Sequence, residues 1–324
     1  MKLGVFSVLL GDKPLGEALD ILKKLGVEAV EIGTGNYPGD KHCNLTALLG
    51  DDTGAEIEAF KREIDDRGLM LSALSCHCNP VHPSKERAEE QQKVQRDTIL
   101  LAEKLGLDRI VTFSGCPGGS VDDKTPNWVT CPWPDDYLDV LKYQWEEVLI
   151  PYWQQEVEFA EAHGVDKICL EMHPGFCVYN PETLLKLREA VGGKVIGANL
   201  DPSHLFWQGM DLTHVIRKLN GVIYHFHAKD CIIDPINAAT NGVLDTKHYS
   251  DEINRSWIFR TCGFGHDTKI WKDIVSNLKM CGYDYVISIE HEDSLASVNE
   301  GLSKAVAFLK EVILAEKPGA MTWA

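Results

Sequence analysis

The sequence lacks the long apolar runs and the basic surplus that would place it in several common functional classes. No stretch of roughly 20 apolar residues occurs in the 324-residue chain, so we expect no membrane-spanning helix. The N-terminal run MKLGVFSVLLGDKP has no charged region followed by an apolar region of signal-peptide type, which indicates a cytoplasmic protein. Lys and Arg number 32 against 49 Asp and Glu. The formal net charge of −17 therefore argues against nucleic acids and anionic membranes as partners.

The ten cysteines do not form the spacings that usually indicate a metal site. No pair of CxxC sequences occurs, and Cys76-His77-Cys78 has the wrong spacing for a structural zinc site. We therefore expect reduced thiols, most of them buried as small apolar side chains.

Short β-rich runs alternate with amphipathic helical segments along the whole chain. Each of eight predicted strands is followed by a predicted helix, a pattern typical of parallel strands joined by helical crossovers. Eight such units in this length predict a closed (β/α)8 TIM barrel, and the lack of a linker predicts one domain over 1–324. The predicted strands cover 3–9, 27–33, 69–76, 109–115, 167–173, 194–201, 222–230 and 285–293.

Two connections in this pattern are unusually long, over 116–134 and 231–267. Loops of such length are commonly functional. Both follow predicted strands, so we place them at the carboxyl end of the barrel, where the active sites of TIM barrels lie. A single long helix is predicted after the first of them, over 136–163.

Charged and imidazole side chains end the last four predicted strands, although a buried strand has no reason to end in charge unless something binds there. The strands end in LEMHP, NLDPSH, HFHAKD and SIEHED. Because side chains alternate along a strand and neighbouring strands lie side by side in a barrel, we expect these residues to converge. The set contains three carboxylates and one imidazole, from Glu171, Asp201, His227 and Glu290.

A set of three oxygen ligands and one nitrogen ligand suits a divalent metal ion that also binds water or substrate. Mn²⁺, Mg²⁺ or Co²⁺ fits it better than a thiolate-type zinc site would, although Zn²⁺ stays possible. Within HFH two ligands are conceivable. We favour His227 over His225 because it lies nearer the carboxyl end of the strand.

The motifs LEMHPG (170–175), LDPSH (200–204), HFHAKD (225–230), GFGHD (263–267) and IEHED (289–293) resemble those of the xylose isomerase-like barrels. That group of sugar phosphate isomerases and epimerases includes ketose 3-epimerases and inositol-catabolic enzymes, and the resemblance covers almost the whole chain. It implies a divalent ion, most often manganese, on Glu171, Asp201, His227 and Glu290. It also implies a substrate contact from His204.

The chain departs from the ketose 3-epimerases in two places. Those enzymes typically carry an arginine a few residues beyond the HxH motif, whereas KDCII (229–233) has none. The segment 231–267 is also longer than in the small epimerases. Both departures argue against a free ketohexose as substrate. In broad terms the chain is also similar to the alpha subunits of C-glycoside-cleaving enzymes, which act on 3-keto sugars.

We expect a sugar isomerase or epimerase that moves a proton next to a carbonyl through a metal-stabilised enediolate. Glu171 and Glu290 are the expected acid–base pair. The same chemistry would support β-elimination from a 3-keto glycoside, so a lyase or a C-glycoside deglycosidase subunit is the first alternative. A non-catalytic sugar-binding barrel is the second.

Further polar and aromatic residues lie near the same end of the predicted barrel. We expect a small sugar or sugar derivative as the ligand, and a homo-oligomer or a small partner subunit as the assembly. Glu31, His82 and His266 are weaker candidates, and Trp128, Trp133 and Trp207 are candidates for apolar walls. The expected substrate contacts are His204, His173, Lys229, His77, Arg260 and His225.

Overall fold

The computed structural model describes residues 1–50 and 53–322, and eight of its ten strands form a closed parallel barrel. The predicted (β/α)8 TIM barrel is therefore confirmed. Around the barrel the order is β1, β2, β3, β4, β5, β6, β7 and β10, which pairs back to β1. The strands are β1 Lys2–Phe6, β2 Ala29–Gly33, β3 Met70–Ser75, β4 Arg109–Phe113, β5 Lys167–Glu171, β6 Ile196–Leu200, β7 Ile223–Ala228, β8 Asp230–Ile233, β9 Trp257–Arg260 and β10 Val286–Ile289.

Helices surround the barrel and bury their apolar faces against it. The first helix buries Ala18, Leu19 and Leu22, which lie on one face at helical spacing. Within the described residues, no helix combines the length and the apolar character that a membrane crossing needs. The helices are α1 Leu15–Leu25, α2 Leu45–Leu49, α3 Gly54–Asp65, α4 Lys85–Leu105, α5 Asp136–Lys142, α6 Ile150–Ala162, α7 Pro181–Ala190, α8 Pro202–Phe206, α9 Leu212–Lys218, α10 Pro235–Asn241, α11 Thr268–Met280 and α12 Val298–Val312.

The predicted alternation of one helix per strand is incomplete. Three short helices, α2, α8 and α10, were not predicted. The single helix predicted over 136–163 is divided by a π-helical segment, Tyr143–Leu149. The last strands also end earlier than predicted, β5 at Glu171 and β10 at Ile289. The polar side chains at these two strand ends lie at the barrel mouth, where Glu171 contacts His204 and Glu290 contacts Lys229.

The long segment after β7 is a folded hairpin rather than a simple loop. β8 pairs antiparallel with β9, from Asp230 opposite Arg260 to Ile233 opposite Trp257. The guanidinium of Arg255 lies 4.4 Å from the ring of Tyr249 and 4.6 Å from that of Trp257. We call residues 230–260 the hairpin segment. It lies at the carboxyl end of the barrel, as the sequence predicted for its position.

Asp230 joins the end of β7 to the turn before α11. Its carboxylate accepts hydrogen bonds from the backbone N–H groups of Gly263, Gly265 and His266, at 3.1, 3.2 and 3.0 Å. The His266 imidazole and the Trp271 indole donate to it as well, at 2.7 and 3.3 Å. This carboxylate therefore connects the HFHAKD motif, of which it is the last residue, to the GFGHD motif, although the two lie far apart in the sequence.

Replacing Asp230 by alanine is expected to lower the free energy of unfolding by about 3–5 kcal/mol, because three partly buried backbone N–H groups and the buried Trp271 indole lose their acceptor. Urea denaturation followed by circular dichroism measures the change. Asp273→Ala is the control: it removes a carboxylate on α11 that is 44% exposed and pairs with Lys269, and it is expected to cost less than about 1 kcal/mol. Equal effects of the two changes would contradict this role for Asp230.

Candidate metal centre

Residues from four barrel strands present potential ligand atoms to one point at the barrel mouth. Glu171 ends β5, Asp201 follows β6, His227 lies in β7 and Glu290 follows β10. One ligand atom from each of the four lies within 4.8 Å of all the others. Asp201 is held in place because its carboxylate accepts a hydrogen bond from the backbone N–H of Ser203, in the first turn of α8. The sequence prediction that these four residues converge agrees with this geometry.

Several buried polar atoms of this cluster have no hydrogen-bond partner within the described part of the chain, and two of them are approached by the positive charge of Lys229. Among the residues that the structure describes, Asp201 Oδ2, His227 Nδ1 and Glu290 Oε2 have no partner in acceptable hydrogen-bond geometry. Unpartnered oxygen and nitrogen atoms that face one another are stabilised by a cation between them. Three carboxylate oxygens and one imidazole nitrogen suit Mn²⁺, Mg²⁺ or Co²⁺. The residues present therefore fit a divalent ion.

Lys229 brings one positive charge into the same cluster. Its ammonium lies 3.1 Å from Asp201 Oδ2 and 2.7 Å from Glu290 Oε2. Burial lowers the pKa of Lys229, but the carboxylates of Asp201 and Glu290 outweigh it and raise the pKa well above its ordinary value. Burial likewise raises the pKa of both acids, yet Lys229 together with a neighbouring imidazole, His204 for Asp201 and His227 for Glu290, outweighs it and lowers each pKa to about 2. The cluster therefore favours a cation strongly.

Glu31, in β2, holds the imidazole of His227 from the side opposite the cluster. The Nε2–H of His227 donates to Glu31 Oε1 at 2.9 Å. Its Nδ1 then faces Glu171 at 3.0 Å and Glu290 at 3.3 Å. Burial lowers the pKa of His227, but Glu31 and Glu290 outweigh it and raise the pKa well above its ordinary value. A carboxylate in this position fixes the tautomer and the ring orientation of a histidine ligand.

Glu31 is itself held by hydroxyl groups from its neighbours in the barrel. The hydroxyl of Ser288 donates to Glu31 Oε2 at 2.7 Å, and the hydroxyl of Ser75 donates to Oε1. Burial raises the pKa of Glu31, but His227 and His225 outweigh it and lower the pKa to about 2. Glu31 is therefore an ionised and fully oriented partner of His227.

Glu171 is oriented by an amide and by imidazoles. Asn199 Nδ2 donates to Glu171 Oε2 at 2.8 Å, and the Nε2–H of His77 donates to the same oxygen at 3.3 Å. His225 Nδ1 in turn donates to Asn199 Oδ1 at 3.0 Å, which fixes the amide. His204 Nε2 lies 3.2 Å from the other carboxylate oxygen of Glu171. Burial lowers the pKa of His204, but the carboxylates of Asp201 and Glu171 together outweigh it and raise the pKa to about 9.

A cavity of about 400 Å³ opens above the cluster, within the roughly 300–1,000 Å³ typical of small-molecule sites. Phe113 and Phe176 stack in its wall with ring centroids 4.4 Å apart. Burial and the nearby His204 lower the pKa of His173 to about 3, so its imidazole is neutral. His173 Nδ1 donates to the Pro174 carbonyl oxygen, which leaves Nε2 as an acceptor. The polar wall consists of His77, Glu171, His173, Lys229, Glu290 and Glu292.

The structure brings three of the expected substrate contacts to this cavity, namely His77, His173 and Lys229. The other three lie outside its lining. His204 packs on His173 at 4.0 Å between ring centroids and contacts Glu171, and His225 is fully buried against Asn199. Arg260 points to the carboxylate of Asp293 at 3.2 Å instead of to the cavity.

The weaker candidates have mostly structural surroundings. His82 Nδ1 accepts a hydrogen bond from the backbone of Ser84, and His266 binds Asp230. Trp207 stacks on Trp257 at 4.8 Å, and Trp133 is 74% exposed. Trp128 lines a separate cavity.

Sequence reasoning noted Asn199 at a strand end without giving it a role, passed over Ser75 and Ser288, and underrated Glu31. All four are completely buried polar residues in largely apolar strands, and a polar residue in an apolar run was the available signal. Their partners come from other strands, so the pattern within one strand could not identify them.

Comparison with known proteins gives matches along almost the whole chain. A family model described as xylose isomerase-like TIM barrel matches residues 19–312. The uncharacterized protein YfiH of Bacillus subtilis (strain 168) is 41% identical over 315 residues, which cover 97% of this chain and 99% of that protein. Inosose dehydratase of Geobacillus thermodenitrificans (strain NG80-2) is 23% identical over 313 residues, covering 94% and 97%.

Solved structures share the fold at low sequence identity. A D-psicose 3-epimerase solved in the presence of D-fructose has a TM-score of 0.60 and 15% identity, over 98% of this chain and 100% of that one. A xylose isomerase-like TIM barrel protein from Mycobacterium smegmatis in complex with magnesium has a TM-score of 0.63 and 16% identity, over 96% of each chain.

Glu31→Gln is expected to weaken the binding of Mn²⁺ by about 10–100-fold, because the neutral amide no longer orients and polarises His227. Calorimetric titration of metal-free protein with MnCl₂ measures the affinity. Glu58→Gln, at an exposed position of α3, is the control and is expected to leave the affinity unchanged. Wild-type affinity in Glu31→Gln would contradict the orienting role.

Asp201→Ala and His227→Ala are expected to lose the bound ion, because each removes one of four ligands from a closely spaced set. Elemental analysis of protein dialysed against Mn²⁺ and then against buffer gives the metal content per chain. The control is His248→Ala, which removes an exposed imidazole of the hairpin segment. Undiminished metal content in both ligand variants would refute the site.

Proposed function

We propose that this protein is a divalent-metal-dependent sugar isomerase or epimerase. The proposal starts from its family, because the chain belongs to the xylose isomerase-like TIM barrel family. The observation that carries the proposal is the convergence of Glu171, Asp201, His227 and Glu290 below a cavity of the right size for a sugar. The common fold with a D-psicose 3-epimerase supports it.

The metal ion is part of this proposal. Glu171, Asp201, His227 and Glu290 would hold it, with Mn²⁺ preferred, and a neighbour with the same fold was solved with magnesium. When bound, a divalent ion supplies positive charge beside a substrate carbonyl oxygen, which makes the C–H on the adjacent carbon more acidic.

Glu171 and Glu290 are the proposed acid–base pair because both carboxylates line the cavity. One of them accepts the proton from the carbon next to the carbonyl, which leaves an enediolate. The other returns a proton to the neighbouring carbon, which completes an isomerisation, or to the opposite face of the same carbon, which completes an epimerisation. Stereochemistry of the substrate decides which carboxylate acts first.

Other residues of the cavity bind and orient the sugar in this proposal. Lys229 lies beside Glu290 and can offset negative charge that develops on a substrate oxygen. His77 and His173 offer imidazole nitrogens to hydroxyl groups. The rings of Phe113 and Phe176 cover an apolar face of the sugar and exclude water.

β-Elimination is the second candidate function. Among the described residues of the cavity wall the basic side chain is Lys229, and none is an arginine of the kind that ketose 3-epimerases typically carry. A sequence relative at 23% identity is a dehydratase by name. In such a reaction the carboxylate takes the same proton, the electron pair forms a C=C bond, and the substituent on the next carbon leaves with its bonding electrons.

Incubation of the manganese-loaded protein in D₂O, with a panel of ketoses and with 3-keto glycosides, distinguishes these functions. Deuterium at a carbon next to the carbonyl with an intact skeleton supports isomerisation or epimerisation. Release of water or of the aglycone supports elimination. Bound metal without exchange at any sugar carbon would contradict both and favour a non-catalytic sugar-binding barrel.

Glu171→Gln and Glu290→Gln are each expected to slow C–H exchange by about 10²–10⁴-fold, because a carboxamide cannot accept the proton. The rates are compared at saturating Mn²⁺ with the metal content measured, since both residues are also proposed ligands. Glu311→Gln, an exposed change on α12, is the control. Full activity in metal-loaded Glu171→Gln would rule out its role as a base.

A further inference from the structure

A second cavity of about 400 Å³ lies beside the one above the metal cluster. His173 and Glu292 belong to the walls of both cavities, so the two are adjacent parts of one cleft. We call the part above Glu171 and Glu290 the metal lobe. We call the other part, walled by Tyr249, Ile258, Phe259 and Ser294, the hairpin lobe.

The hairpin lobe has an aromatic wall that also supports the metal lobe. The rings of Tyr249 and Phe259 stack with centroids 5.6 Å apart and planes 19° apart. The His204 ring meets Phe259 edge-on at 5.4 Å, and Lys229 Nζ lies 4.7 Å from the centroid of the same ring. Phe259 thus connects the two lobes. Tyr249 is 51% exposed, so its ring is accessible to a ligand.

This wall is held in position without a ligand. The guanidinium of Arg255 lies against the Tyr249 ring and donates to the Trp257 carbonyl oxygen at 3.0 Å. Asp245 accepts a hydrogen bond from the backbone N–H of Ser256 at 2.7 Å, which closes the loop that carries Tyr249. A lobe preformed in this way binds a ring without a large ordering cost.

We propose that the hairpin lobe binds a second ring, so that the substrate is a sugar derivative with a ring substituent rather than a free monosaccharide. This inference rests on the proposed function, which assigns the chemistry to the metal lobe. Each lobe has the volume of a small-molecule site, and the two share a boundary at His173. Aromatic faces with a carboxylate and a hydroxyl at the rim, from Glu292 and Ser294, suit a flat ring with polar substituents.

Calorimetric titration of the manganese-loaded protein with three β-glucosides tests the hairpin lobe separately from catalysis. Phenyl β-D-glucopyranoside or cellobiose is expected to bind at least about tenfold more tightly than methyl β-D-glucopyranoside, because the second ring covers aromatic surface. Tighter binding of the phenyl compound indicates an aryl substituent, and tighter binding of cellobiose indicates a second sugar. Equal affinities for all three would overturn the inference.

Two variants locate the effect. Tyr249→Ala removes part of the aromatic wall, and Ser294→Trp fills the lobe with an indole ring. Each is expected to reduce the preference for the second ring to less than about threefold. Tyr137→Ala is the matched control, since Tyr137 is a half-exposed tyrosine on α5 outside both lobes, and it is expected to retain the preference. Retention of the full preference in both lobe variants would overturn the assignment.

Exchange in D₂O, measured on the 3-keto derivatives of the same three compounds, separates this inference from the proposed function. Exchange at equal kcat/KM on all three supports the proposed chemistry and overturns the second-ring subsite. Tighter binding of a two-ring compound, without exchange on any of them or on the panel of ketoses, supports the subsite and overturns the proposed function.

Discussion

Four carboxylates, those of Glu31, Glu171, Asp201 and Glu290, lie close together at the carboxyl end of one barrel, and the rest of the site depends on how their repulsion is offset. Three of them are almost completely buried. Such a group is stable only with positive charge and hydrogen-bond donors around it. The ammonium of Lys229 and the surrounding imidazoles provide part of that charge, and a divalent ion between the unpartnered atoms would provide the rest.

The barrel makes this arrangement possible because parallel strands end at the same edge. Each ligand is at or near a strand end, and several of the groups that orient the ligands, among them Glu31, Ser288 and Asn199, lie within strands. Ser288 is directly opposite His227 in the strand pairing, and Asn199 is opposite Glu171. The ligand positions are therefore set by backbone pairing, and side-chain hydrogen bonds set only their orientation.

The sequence was sufficient to predict the barrel and the four converging residues, because both depend on local patterns: strand–helix alternation and polar strand ends. It was insufficient to predict which residues from distant parts of the chain contact these four side chains. Glu31 binds His227, which lies 196 positions further along the chain, and Arg260 is turned toward Asp293 by a charge that only the fold brings near. The four-residue strands of the hairpin segment are too short for a periodic pattern to indicate them.

The antiparallel pairing of β8 with β9 brings the two ends of the hairpin segment together at Asp230 and Arg260. Both ends thus leave and re-enter the barrel at nearly one place, and Asp230 anchors that place to the turn before α11. A change in the length or sequence of the segment between them therefore need not shift the register of the barrel strands. Such a change would reshape the hairpin lobe, which this segment walls, and would leave the strand positions of Glu171, Asp201, His227 and Glu290 as they are.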